Sequence, residues 1–353
     1  MSFQKEKRNS IKRYMLEKIR KDDVDYLQKT TYNFQISNTT VKRYIRECLD
    51  QQILVEDTSV GCGYRLKKME YQYEYVADDI LEEDTIYYRD ILPLLNDVSE
   101  EARHIWCYVF MEMMNNAIEH SRCKHICCRI VKDALYTEIA ITDDGIGIFK
   151  NIQNYLNTTI GKKVTYQEVL TELYKGKMTT AKENHSGEGI FFSSKMVDEF
   201  AIWSDNAVYL AGTQERSQFV QSHLLAYYTG LNNIGTMVMM KLTNQSDREL
   251  GEVFDMYAPV NEGFVKTRIP IKEVCTGGQP MARSQARKIL WRLEQFSKVE
   301  FDFSEIAFMG QGFADEVFRV FKGHYPDVEI IPIHACPRVL GMIKHVQRGE
   351  ENL

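Results

Sequence analysis

The chain has 353 residues, room for two or three domains, and its 44% apolar and 27% charged residues are those of an ordinary globular protein. No run of eighteen apolar residues occurs, and the basic start over residues 1–8 lacks an apolar core. Neither a membrane span nor a secretory leader is therefore expected, and the expected location is cytoplasmic. The net charge of −6 is unevenly shared: residues 1–68 hold 15 Lys and Arg against 9 Asp and Glu, a balance of +6 that leaves −12 on the rest. A basic head on an acidic body points either to an anionic partner for the head or to a solvated surface.

In the head, Ile11, Tyr14, Met15 and Ile19 are spaced as one helix, and Val24, Leu27 and Thr31 as a second. Ser37-Asn38-Thr39-Thr40 offers an N-cap to a third, in which Val41, Tyr44, Ile45, Cys48 and Leu49 recur at i, i+3, i+4, i+7 and i+8. Two short strands follow, over 53–56 and 64–66, around a turn with Gly61 and Gly63. Residues 1–68 so resemble a winged helix-turn-helix domain. The resemblance implies that the third helix enters a major groove of double-stranded DNA, presenting Asn38, Thr39, Lys42, Arg43 and Arg46. Arg43 would read a guanine edge, and Lys42 and Arg46 would meet phosphates. The alternative is a head that docks a protein or dimerises. Glu70, Glu74, Asp78, Asp79, Glu82, Glu83 and Asp84 then predict an acidic linker over 69–90.

The most informative stretch is Glu112-Met-Met-Asn115-Asn116-Ala-Ile-Glu119-His120-Ser121. Phe110, Met114, Ala117 and Ile118 recur at helical spacing, with Glu112, Asn116 and Glu119 along another face. A carboxylate one turn before a carboxamide can polarise a water and hold Mg²⁺ beside phosphates, since that ion needs few protein oxygens and keeps some of its water. An alternating strand over 135–142 then breaks into Asp143-Asp144-Gly145-Ile146-Gly147-Ile148. An Asp at a strand end, beside glycines that allow close backbone approach, can accept the exocyclic amine of adenine.

Together these residues resemble the GHKL (Bergerat-fold) ATPase superfamily. Asn116 matches its magnesium-binding Asn, Glu112 its acid/base carboxylate, and Asp143, Gly145 and Gly147 its D-x-G-x-G adenine box. His185-Ser186-Gly187-Glu188-Gly189-Ile190 looks like the second glycine box, closing on phosphates at a helix start. Gly235-Thr236 looks like the last small-residue element beside the adenine. A GHKL ATP-binding domain is thus expected over 91–246. Its ATP lid would span 149–186 and include the loop Lys175-Gly176-Lys177-Met178-Thr179-Thr180-Ala181-Lys182; the resemblance allows one of these lysines to touch the terminal phosphate, while any given one reads first as part of an ordinary solvated loop. Glu119 and His120 are expected as a hydrogen-bonded rim. His120, Cys123, His125, Cys127 and Cys128 match no zinc spacing, and reduced thiols are expected throughout.

The last hundred residues alternate in type: strand-like 264–269, helical 284–296, strand-like 299–303, helical 312–321, strand-like 328–333 and helical 337–346. That alternation predicts an α/β layer. Phe301-Asp302-Phe303-Ser304 with Met309-Gly310-Gln311-Gly312 looks like a STAS-like domain over 255–353, the fold of anti-sigma-factor antagonists. Those carry a phosphorylatable Ser in a D-S-S-G-type loop, whereas Met309-Gly310-Gln311-Gly312 has no hydroxyl. Ser304 and Ser284 are nearby hydroxyls, Ser284 reading as an N-cap.

The expected whole is an α+β multidomain protein: a winged helix head, a GHKL α/β sandwich centre and a STAS-like α/β end. Residues 69–109 hold only His104 and too little chain for a phosphoacceptor hairpin, which argues against a two-component histidine kinase. Three readings remain: an ATP-gated, Mg²⁺-dependent regulator that binds DNA, a serine/threonine kinase of the anti-sigma type, and a non-catalytic scaffold. A protein partner through the STAS-like domain and a homodimer are both compatible with the resemblances, and no membrane contact is expected.

Overall fold

The computed structural model describes residues 2–78, 80–161, 163–178, 187–205, 207–212 and 234–348. Among these residues it is a mixed α+β structure with three sheets. In the head, α1 (Ser2–Arg20), α2 (Tyr26–Phe34) and α3 (Asn38–Asp50) close on a hairpin of β1 (Leu54–Glu56) and β2 (Tyr64–Leu66). The Thr40 N–H donates to Ser37 Oγ at 3.2 Å, so α3 starts where its capping residue dictates. Val41, Tyr44, Ile45 and Cys48 line its buried face.

The head lies against the body through α1. Leu135 joins the head's apolar core, and the Tyr136 hydroxyl donates to Glu17 at 2.8 Å. Arg20 sits 4.2 Å from the Tyr136 ring centroid, and Arg13 donates to Thr243 Oγ1 at 3.2 Å.

The stretch expected as an acidic linker over 69–90 is largely structured. Met69–Val76 forms β3, the edge strand of the central sheet, paired along its length with β4 (His125–Lys132). Tyr71, Tyr73 and Tyr75 share one side of β3, and the acidic residues occupy the other, where Glu70 pairs with Arg129 at 2.7 Å. A one-turn α4 (Glu83–Ile86), the widened turn Tyr87–Ile91 and the tight turn Leu92–Leu95 then bury Ile86, Tyr87, Ile91 and Leu95 completely or nearly so. Glu70 and Glu74 therefore belong to a polar strand face, and Glu83 and Asp84 to the first turn of α4.

β5 (Tyr136–Asp143), β6 (Glu199–Ser204), β7 (Ala207–Gly212) and β8 (Thr236–Thr243) complete a six-stranded antiparallel sheet of order β3-β4-β5-β8-β6-β7. Alternation sends Ile126, Cys128, Ile139, Ile141, Val238 and Met240 to one face. There they meet α5 (Glu100–Asn115), α6 (Ile148–Ile160), α7 (Tyr166–Lys175) and α8 (Gly189–Met196). Ala140, Ala201, Met237 and Met239 form a small cluster on the other face.

After α9 (Leu250–Tyr257), β9 (Lys266–Pro270), β10 (Lys298–Asp302) and β11 (Glu329–Ile333) make a parallel sheet of order β11-β10-β9. Its helices include α10 (Ile271–Val274), α11 (Arg283–Leu290), α12 (Gln311–Asp315) and α13 (Pro337–Arg348). Ser284, expected as an N-cap, is inside α11. Ala282 holds the cap position, and the Met281 and Ala282 N–H groups donate to Gln285 Oε1 at 2.9 and 2.8 Å. This C-terminal unit shares one apolar core with the body: Phe264 stands 4.7 Å from the Phe191 ring, and Thr267 Oγ1 donates to the Lys175 carbonyl at 2.9 Å.

Candidate functional site

One cavity of about 290 Å³ opens between the sheet and its helix layer, and Glu112, Asn116, Asp143, Gly187, Gly189 and Thr236 all line it. α5 carries Glu112, and Asn116 begins a widened turn, Asn116–His120, that continues α5. Met113 and Ala117, beside Glu112 and Asn116, line the same cavity, while Met114 is fully buried away from it.

Asp143 ends β5 directly opposite Thr236 in the register with β8. Its Oδ1 accepts the Gly145 N–H at 2.8 Å, and it is 5% exposed. Burial pushes the Asp143 carboxyl up to about 6, while hydrogen bonds from Gly145 and Thr236 pull it back down. A nearly buried carboxyl with free acceptor capacity facing a cavity is suited to receive an N–H donor.

The glycines have steric reasons. A Cβ on Gly145 would collide with the Ser121 carbonyl, whose oxygen accepts the Ile146 N–H at 2.9 Å. Gly147 has φ +83 and leads into α6 beside Ser204 Oγ. Gly235, which the sequence pairs with Thr236, is wedged against Gly145 and Asp143, and its N–H donates to the Asp143 carbonyl at 2.8 Å. Thr236 Oγ1 accepts the Ile148 N–H at 3.0 Å, joining β8 to the start of α6.

Across the cavity, Gly187 has φ +75 and Gly189 opens α8, so backbone N–H groups at a helix start face the same space. The Glu112 carboxylate abuts Gly189 so closely that a Cβ there would collide with Oε2. Sequence reasoning missed Asn115, Ser121, Asn151 and Met178, which also line the cavity. Asn151 had a signal: it is a polar residue on α6 near Ile148 and Ile152, and its Nδ2 donates to the His120 carbonyl at 3.4 Å. His120 thus lies at the wall, and Glu119 is exposed.

The stretch expected as a lid over 149–186 is helical through α6 and α7, and Thr179 to Ser186, with Lys182, lie outside the described residues. Lys175 does not line the cavity. It is 1% exposed and forms a buried ion pair with Glu172, 4% exposed, while its ammonium also donates to the Trp291 carbonyl of the C-terminal unit. Burial pushes the Glu172 carboxyl up and the Lys175 ammonium down; their contact opposes both shifts, while Arg292, 3.6 Å from Glu172, opposes the first and adds to the second.

In the head, Asn38, Thr39, Lys42, Arg43 and Arg46 all lie on the exposed side of α3. Asn38 Oδ1 accepts from Thr31 Oγ1 at 2.8 Å, and Arg43 leans on the Tyr44 ring at 5.3 Å with Glu47 at 3.9 Å. In the C-terminal unit, a Cβ on Gly310 would collide with the Met281 carbonyl, so this loop has no room for a hydroxyl side chain at that position. Ser304 Oγ donates to Asp302 Oδ1 at 2.7 Å, which also meets His334 Nδ1 at 3.0 Å.

Residues 285–339, from α11 into α13, match the family described as a STAS-like domain of unknown function (DUF4325). The C-terminal unit therefore carries a STAS-like domain. No curated protein matches the chain. No helix among the described residues is long and apolar enough to cross a membrane.

Proposed function

We propose that the chain is an ATP-binding regulatory protein of the GHKL type, a Mg²⁺-dependent ATPase whose nucleotide state controls a DNA-binding winged helix head. The observation that carries this reading is the meeting of Glu112, Asn116, Asp143, Gly187, Gly189 and Thr236, drawn from 125 residues of chain, on one cavity. A set so dispersed in sequence gains weight from its convergence.

In this reading Asp143 accepts the adenine amine, and Thr236 holds Asp143 and the start of α6 in register. Gly187 and Gly189 offer N–H groups to phosphate oxygens. Asn116 would hold Mg²⁺, which neutralises phosphate charge, and one amide oxygen suffices for an ion that keeps much of its water. Glu112, beside Gly189, orients a water or takes its proton. The exposed row on α3 serves phosphates and base edges, with the head's positive balance supplying long-range attraction.

The test follows both free phosphate and protein-bound label from γ-labelled ATP, with binding measured in parallel. Wild type releases phosphate; Glu112→Ala binds ATP but releases none; Asp143→Asn binds ~100-fold more weakly or worse, having lost a charged acceptor. Equal turnover in Glu112→Ala and wild type would remove the ATPase reading, and label on protein would replace it with a kinase.

A further inference from the structure

A second cavity, of about 180 Å³, lies where the body meets the STAS-like domain. Leu156 and Ile160 of α6, with Val164 and Trp291, give it an apolar lining, and Leu156 and Val164 are almost fully buried. The rest of the lining is charged and sorted by element. Glu168 and Glu172 stand one turn apart on α7, and Arg287 and Lys288 are neighbours on α11. Two acids from one helix face two bases from the other, and their charges cancel.

The hydrogen bonding of these four is incomplete. Glu172 is 4% exposed and gives Oε1 to Lys175, yet its Oε2 accepts no hydrogen bond among the described residues, Arg292 standing 3.6 Å away. A buried carboxylate oxygen short of a donor is costly until one arrives. Arg287 donates through Nε to Glu316 at 2.8 Å, and its two Nη groups donate no hydrogen bond among the described residues. Lys288 meets Glu168 at 3.5 Å; both cations are more than half exposed, so this pair is held loosely.

An occupant must be small, because about 180 Å³ is less than the roughly 300–1,000 Å³ of sites for drug-sized ligands. A simple anion would be repelled by Glu168 and Glu172, and a simple cation by Arg287 and Lys288. The 3.5 Å between Lys288 and Glu168 sets opposite charges of the two helices side by side. A ligand that serves both must carry its own two charges equally close. An α-amino acid does so, with ammonium and carboxylate on one carbon and a side chain beyond them.

We propose that this cavity binds a free α-amino acid with an apolar side chain. Its ammonium donates to Glu172 Oε2 and Glu168, its carboxylate accepts from Arg287 and Lys288, and its side chain packs among Leu156, Ile160, Val164 and Trp291. The ligand bridges α7 of the body and α11 of the STAS-like domain. No lining residue is shared with the first cavity, and the proposal does not depend on nucleotide binding there.

Binding of leucine, isoleucine, valine, methionine and phenylalanine to the full chain is measured by calorimetry. For the tightest binder, the analogues lacking the amino group or the carboxyl group are titrated alongside. At least one amino acid should bind, and each analogue should bind about tenfold more weakly or worse, the scale of one charge-assisted bond. Glu168→Gln removes a charge but keeps the cap of α7, since Gln serves a capping box as Glu does. It and Arg287→Ala, a surface change, should each weaken binding about threefold to tenfold. Ile160→Phe, which fills the cavity, should abolish it, with thermal melting confirming that each variant is folded. Absence of binding by all five amino acids overturns the proposal. Equal affinity for the analogue without its amino group also overturns it, by making the site one for apolar carboxylates. Unchanged affinity in the folded variants places the ligand elsewhere and overturns the assignment to this cavity.

Discussion

Asp143 is asked to be stable and ready at once, and the two demands conflict. In the folded chain its carboxyl titrates at about 6 against an ordinary 3.8, because burial costs more than its hydrogen bonds return. A raised carboxyl stabilises the fold fully below pH 3.8, and that contribution disappears as pH rises through about 6. The ionised side chain then costs the ligand-free protein about 3 kcal/mol at neutral pH. Asp143→Asn is accordingly expected to raise stability at pH 7.5 by ~1–3 kcal/mol in urea unfolding, and to flatten the profile between pH 4 and 7. A variant less stable than wild type at pH 7.5 would show that the carboxylate is well compensated. Nucleotide affinity in the wild type should in turn weaken as pH falls through about 6, where the acceptor is neutralised.

At the scale of elements, the turn from β5 into α6 is the least forgiving part of the site. Gly145→Ala would drive a methyl into the Ser121 carbonyl, a backbone atom that cannot swing aside. A cost of ~1–3 kcal/mol is expected from thermal unfolding, with loss of nucleotide binding, whereas Gly161→Ala at the open end of α6 should spare binding. Much of this region was legible. The Ser37 cap and apolar rows of α3, the helix through Glu112 and Asn116, and the glycines after Asp143 are all local patterns. β3 was misread because its Glu residues outweighed the alternation of Tyr71, Tyr73 and Tyr75, and an edge strand with one polar face looks like a tether. The burial of Lys175 was unreadable for another reason: its partner Trp291 lies 116 residues away, and no local period encodes that contact. Ser284 lost its cap role to Gln285, which reaches back to two N–H groups that a Ser at that position cannot serve.

Across the whole molecule, the joint between body and STAS-like domain behaves as interior, not as a surface where two finished domains touch. Glu172, Lys175 and Thr267 are all buried there, and Phe191, Phe264 and Phe296 share one core. Lys175→Met should cost about 3–5 kcal/mol by stranding Glu172, and adding Glu172→Leu should recover most of it. Additive losses in the double variant would mean the two side chains are not coupled. Truncation after Tyr257 should leave a body that aggregates and binds no nucleotide, because Phe191 and Phe192 lose their cover. A well-folded, nucleotide-binding fragment would show the joint to be dispensable. On the head, Arg43→Ala should weaken binding to duplex DNA and leave ATP affinity unchanged; loss of neither would favour protein docking.

Only Lys67 and Lys68 separate the last strand of the head's hairpin from the edge strand of the body. Two extended residues span about 7 Å, too short a leash to let a module sample its surroundings. The head therefore has almost no search radius of its own and cannot find its target by swinging on a tether. Whatever it engages must be brought to the whole particle, and the distance between two heads in an assembly would be set by how the bodies meet.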